Sequence, residues 1–144
     1  MGNKDAAFDE KIDFKYVLGE KEGVQLILFY GRINARVVPV LEECEKELKD
    51  KPHKILILNF HDVANLAPAA HIFFTKFQKT VRDAGKLLGV CGLRPDVKTS
   101  LLLAGIIRES ELYNNIPDAW KALNLKLQAQ IKESSERRNA KKLA

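Results

Sequence analysis

Lys54-Ile55-Leu56-Ile57-Leu58-Asn59-Phe60 is a nearly unbroken apolar run. A strand with one wet face alternates apolar and polar residues, whereas a continuous run of this length marks a strand covered on both faces, often paired in parallel. This segment is therefore predicted to be the centre of a sheet. On its N-terminal side, Pro39 falls where a first helical turn tolerates a missing N–H. Val40, Leu41, Cys44 and Leu48 then make one apolar stripe, with Glu42, Glu43, Glu45, Lys46, Glu47 and Lys49 on the water side. The spacing predicts a helix starting near Val38 and ending in the Lys49-Asp50-Lys51-Pro52 break. Farther back, Ile12-Asp13-Phe14-Lys15-Tyr16-Val17-Leu18 alternates, and Val24-Gln25-Leu26-Ile27-Leu28-Phe29-Tyr30 is denser in apolar residues and stops at Gly31. With a turn over 19–23, these two strands form a hairpin.

On the C-terminal side, 61–67 reads as a connection and Pro68 as the first turn of a helix to near Ala84, with Phe73, Phe77 and Val81 on its apolar face and Gly85 as its stop. Lys86-Leu87-Leu88-Gly89-Val90-Cys91 is a short parallel strand closed by Gly92. A helix from Pro95 to near Ala104, a short edge strand at Glu111-Leu112-Tyr113, and a last helix from Pro117 with Trp120, Leu123, Leu127 and Ile131 along one side complete the chain. Strands and helices alternating after a hairpin imply an α/β domain whose mixed β-sheet has about five strands, with about four helices. The expected organisation is a flexible N-terminus over 1–11, a single domain over 12–127, and a helical extension or basic flexible tail over 128–144.

Composition narrows the function. A chain of 144 residues is long enough to bury one core without staples or metals. An aromatic share of 8% argues against a stacking platform for single-stranded nucleic acid. The net charge of +5 owes much to residues 132–144, where five basic residues outnumber two acidic ones, so a solvated tail is expected and no nucleic-acid partner. Cys44 and Cys91 are far apart and lack ligand-spaced neighbours, so they read as reduced thiols, with no metal and no cofactor implied. No run approaches the roughly 20 apolar residues that span a bilayer, and the start of the chain has no apolar signal, so a cytoplasmic protein without membrane insertion is expected. Met1-Gly2 lacks the Ser or Thr that myristoylation needs, because Ala6 stands at the sixth position. His53, His61 and His71 have no ligand-spaced companions, Asp62 is a lone turn carboxylate, and Ser100, Ser110, Ser134 and Ser135 lie in no nucleophile motif. Nothing here predicts an enzyme.

Four stretches resemble the STAS domain shared by sulfate transporters and anti-sigma factor antagonists. Gly31-Arg32-Ile33-Asn34-Ala35, followed by a helix with Pro39 near its start, is similar to the family's Gly-x-Leu-Asp-Ala pattern, with Asn34 in place of the customary aspartate. Ile55-Leu56-Ile57-Leu58-Asn59-Phe60-His61-Asp62-Val63 resembles its central strand and the turn that follows. Ala84-Gly85-Lys86-Leu87-Leu88-Gly89-Val90-Cys91-Gly92 resembles its helix end and next strand, and Val97-Lys98-Thr99-Ser100-Leu101-Leu102-Leu103-Ala104-Gly105-Ile106 its third helix. The likeness runs over residues 12–125, and it is the order and spacing of the stretches that carry it.

The resemblance implies an antagonist-type STAS-like fold and a non-catalytic regulatory module that binds a protein, such as a kinase-like anti-sigma factor, in the control of transcription. In that family an Asp-Ser-Ser-Gly-like motif opens the second helix and a serine there takes phosphate. The matching positions are Ala67, Pro68, Ala69 and Ala70, which have neither hydroxyl nor carboxylate, so the phosphorylation switch is expected to be missing. Asn65, Leu66, Ala67, Pro68, Ala69, Ala70 and His71 are then the expected partner-binding residues. The alternative is a structural scaffold: a homo-oligomer, or a small subunit of a sensory or membrane transport assembly.

Overall fold

The structure, a computed structural model, describes residues 14–48 and 51–143. The expected flexible segment 1–11, the first two residues of the predicted opening strand, Lys49-Asp50 of the helix break and Ala144 lie outside these. Five strands, β1 (Phe14–Lys21), β2 (Val24–Ile33), β3 (Ile55–Leu66), β4 (Leu87–Cys91) and β5 (Leu112–Tyr113), form one sheet in the order β1-β2-β3-β4-β5. The β1/β2 pair is antiparallel and the other three pairs are parallel. Helices α1 (Val38–Leu48), α2 (Pro68–Asp83), α3 (Pro95–Leu103) and α4 (Ile116–Leu143) complete the mixed α/β fold. Short 3-10 turns precede α1 and β5.

The apolar run is the middle strand, as its burial requires. Ile55, Leu56, Ile57, Leu58 and Phe60 are all buried. Alternate side chains of the sheet enter two separate cores. Leu56, Leu58 and Phe60 join Ile27 and Phe29 beneath α1, α2 and α3, while Ile55, Ile57 and Val24 meet Ala119 and Leu123 of α4 on the other face. Each such aliphatic or aromatic side chain contributes about 1.5–3 kcal/mol when withdrawn from water.

Three boundaries differ from the sequence reading. The turn over 19–23 shrinks to Glu22 and Gly23, both at positive φ (49° and 82°), because two such residues make a tight turn that matches strand twist. Gly31 does not end β2. At φ 101° it takes up an irregularity between Gly31 and Arg32, and Ile33 goes on to pair with Leu66. For the same reason residues 61–66, read as a connection, belong to β3: Asp62, Val63, Asn65 and Leu66 pair with Tyr30, Gly31, Arg32 and Ile33.

Helix α4 begins as expected on the sheet, with Leu123 buried and Trp120 and Leu127 packed against the second core. Ile131, predicted on the same stripe, is 56% exposed, so the helix has left the sheet by that point. At the far edge, Arg82 of α2 forks onto Glu111 through Nε–Oε2 (3.0 Å) and Nη2–Oε1 (2.7 Å), and Glu111 also accepts from the Arg108 N–H. This pair ties α2 to the turn before β5.

Both cysteines are buried free thiols. Burial, reinforced by Glu47 and Glu45, pushes the Cys44 thiol up to about 12, and burial alone pushes Cys91 up to about 11. Their ordinary value is 9.0, so the unfolded chain loses these protons first as pH rises. The stability they contribute is complete below that value and is lost as pH climbs through 11 and 12. A thiol reagent at neutral pH is expected to modify the protein only as it unfolds, with labelling tracking the denaturation midpoint; rapid labelling of the native protein would contradict this burial.

Candidate functional site

Where β3 hands over to α2, the backbone is held from two sides. Ala67 is extended (φ −74°, ψ 152°), and its N–H donates to the Ile33 carbonyl at 2.7 Å, so the end of β2 fixes the corner. Arg94, at the start of α3, donates from Nη1 to the Ala64 carbonyl at 3.0 Å. Asn34 accepts the Arg36 N–H on its side chain at 2.9 Å and caps the 3-10 turn that follows β2. Pro68 supplies a fixed φ in the first turn of α2, and the helix has no side-chain N-cap. The segment 31–34 thus props the junction 65–70.

The expected partner-binding residues divide by exposure. Asn65, Pro68 and Ala69 are exposed, and Leu66, Ala67 and His71 are half-buried. Ala70 is fully buried and belongs to the core under α2, so its side chain does not reach the surface. His71 turns inward, and its Nε2 is a buried atom without a hydrogen-bond partner. One residue outside the expected partner-binding set joins the exposed residues: Ile72 is 66% exposed. It stands four residues after Pro68, opposite the Phe73, Phe77 and Val81 face. An apolar β-branched residue off the buried stripe was the signal that could have found it.

Along the outer side of α2 the exposed residues run Pro68, Ala69, Ile72, Thr75, Lys76 and Lys79. The first turn holds no acid, and the first carboxylate of the helix is Asp83 at its end. The surface is therefore apolar at the corner and basic one to three turns on. The first hydroxyl along the helix, on Thr75, donates to the His71 carbonyl at 2.8 Å.

The remaining titratable candidates do not converge here. His61 and Asp62 contact each other at 3.3 Å on exposed β3. His53 is buried beside β1, with its Nε2 3.1 Å from Glu20. Ser100 lies in α3, Ser110 in the turn before β5, and Ser134 and Ser135 in α4. Among the described residues no group of three or more His, Cys, Asp and Glu side chains is placed to hold a metal ion, and no helix is long and apolar enough to cross a membrane.

A parallel β2-β3-β4-β5 sheet with β1 antiparallel at its edge, three helices on one face and one on the other, defines an α/β domain whose strand-to-helix corners carry its surface features. Solved structures similar to it include an anti-sigma factor antagonist from Mycobacterium paratuberculosis, at 17% identity over 77% of this chain and 94% of that chain (TM-score 0.64). A sulfate transporter family protein from Wolinella succinogenes is similar at 19% identity over 76% and 92% (TM-score 0.66). The STAS domain of a SulP transporter from Vibrio cholerae is similar at 18% identity over 77% and 88% (TM-score 0.62). The chain has the STAS-domain fold. No family model and no curated protein sequence matches it.

Proposed function

We propose that this protein is a non-catalytic regulatory module that works in the cytoplasm by binding another protein through the start of α2, in the manner of an anti-sigma factor antagonist. The observation that carries the reading is the junction itself: Pro68, Ala69 and Ile72 form an exposed apolar corner on a backbone pinned to Ile33 and Arg94. A rigid apolar corner binds without paying for loop ordering. Lys76 and Lys79 beside it fit a partner whose apolar pocket has an acidic rim, as a kinase-like anti-sigma factor could present.

A phosphate at this helix start would be held by the helix dipole and would add about −2 charge to the contact surface. Ala67, Pro68, Ala69 and Ala70 have no side-chain hydroxyl to accept it. The contact is therefore constitutive in this reading, set by the abundance of the two proteins and not by a kinase.

Amide hydrogen exchange on the complex tests this. With the partner retained from host extract on the immobilised chain, exchange is expected to slow over residues 64–72, with the hairpin of β1 and β2 unchanged. Protection confined to any other surface would place the partner elsewhere and refute the assignment.

A further inference from the structure

At the opposite end of β3 from the junction, a crevice of about 360 Å³ opens between the C-terminal ends of α1 and α2. Strand β3 runs from Ile55 in this crevice to Leu66 at the junction, about 36 Å for an extended strand, so the two sites are separate. The volume lies in the range of small-molecule sites. Leu56, Phe77 and Val81 give it apolar walls.

Two features point to what would fill it. Gln25 is only 5% exposed and lines the crevice from β2, at a position whose neighbours Ile27 and Phe29 are core. Its Nε2 donates to the carbonyls of Gly19 (2.7 Å) and Leu26 (3.3 Å), which leaves Oε1 as an acceptor with no donor among the described residues. Oε1 is not sealed from solvent, so a ligand N–H or O–H entering the crevice would take the place of water there. The second feature is charge. Among the described residues, Lys46 and Lys86 line the crevice with one carboxylate, Glu45. Lys86 is half-buried and donates to the Lys51 carbonyl at 3.0 Å, and both its burial and the nearby charge of Lys54 lower its pKa. An anion beside it would offset both effects.

We propose that this crevice binds a small amphipathic acid: a ring-sized apolar body against Phe77 and Val81, one hydrogen-bond donor meeting Gln25 Oε1, and a carboxylate at Lys86 and Lys46. The site is independent of the junction and of the partner-binding reading.

Indole-3-acetate is a probe with all three features, and indole and tryptamine each change one of them. Titrated into the full chain and followed by amide NMR, indole-3-acetate is expected to give saturable shifts at Gln25, Phe77 and Val81, with a Kd of roughly 1 mM or tighter for a ligand of this size. Tryptamine, with an ammonium in place of the carboxylate, should bind at least about tenfold more weakly. Lys86→Met should bring indole-3-acetate down to the affinity of indole while leaving indole unchanged. Ala84→Trp, placed at the exposed rim, should abolish binding of all three while the amide spectrum away from the crevice stays native. Non-saturating shifts, shifts centred elsewhere, equal binding of tryptamine, or an unaltered acid affinity in Lys86→Met would each overturn the proposal.

Discussion

Phe74→Ala is expected to lower the free energy of unfolding by about 3–5 kcal/mol. Phe74 is 2% exposed on the inner face of α2, and its ring lies 6.1 Å from Phe29, 5.6 Å from Phe60, 5.2 Å from Phe73 and 6.5 Å from Phe77. Three of these pairs are edge-to-face, the arrangement that aromatic quadrupoles favour, so truncation removes transfer energy and specific ring contacts together. Phe29 and Phe60 belong to β2 and β3, which makes this ring the main seat of α2 on the two strands that also pin the junction. A domain of this size has only about 5–15 kcal/mol in total, so the variant should sit close to its unfolding threshold. Ile72→Ala, two residues away on the exposed side, should change stability by no more than about 0.5 kcal/mol. Chemical denaturation reads both as shifts in midpoint at constant slope. A loss below about 1 kcal/mol for Phe74→Ala would mean that α2 is not seated on the sheet as described.

What the chain discloses in one dimension is governed by how local the cause is. The central strand is legible because burial on both faces needs only its own residues to be apolar, and α2 is legible because Pro68 and the Phe73, Phe77, Val81 spacing are local. The continuation of β3 is not. His61, Asp62 and Asn65 look like loop residues, and they are in a strand because β2 runs on through Gly31 to Ile33, with Tyr30 pairing to Asp62 and Arg32 to Asn65. The Arg82–Glu111 fork joins residues 29 apart, and Gln25 looks like an ordinary alternation until its position under α1 and α2 is known. The same logic divides the candidate site. That Ala67, Ala69 and Ala70 carry no hydroxyl is plain in the sequence, whereas the burial of Ala70 and the exposure of Ile72 depend on which side of α2 meets the sheet.

The proposed interaction surface follows from that division. Its apolar part is small, so a single charge at its centre should dominate. Ala69 is the second residue of α2, exposed, and flanked by Pro68 and Ile72. An aspartate there is favourable to the free protein, because carboxylates near a helix N-terminus interact well with the dipole, by about 0.3–1 kcal/mol. Any loss of binding then cannot be ascribed to unfolding. In the complex the same carboxylate would be desolvated against an apolar pocket with an acidic rim, and an unpaired buried charge is among the costliest changes at an interface.

The most direct test is the affinity of the retained partner for the unaltered protein, for Ala69→Asp, and for Leu103→Asp as a control at the end of α3, where Leu103 is 84% exposed. Ala69→Asp is predicted to weaken binding by about 100-fold, roughly 2.7 kcal/mol, with Leu103→Asp unchanged. An Ala69→Asp variant that binds as tightly as the unaltered protein would contradict the account.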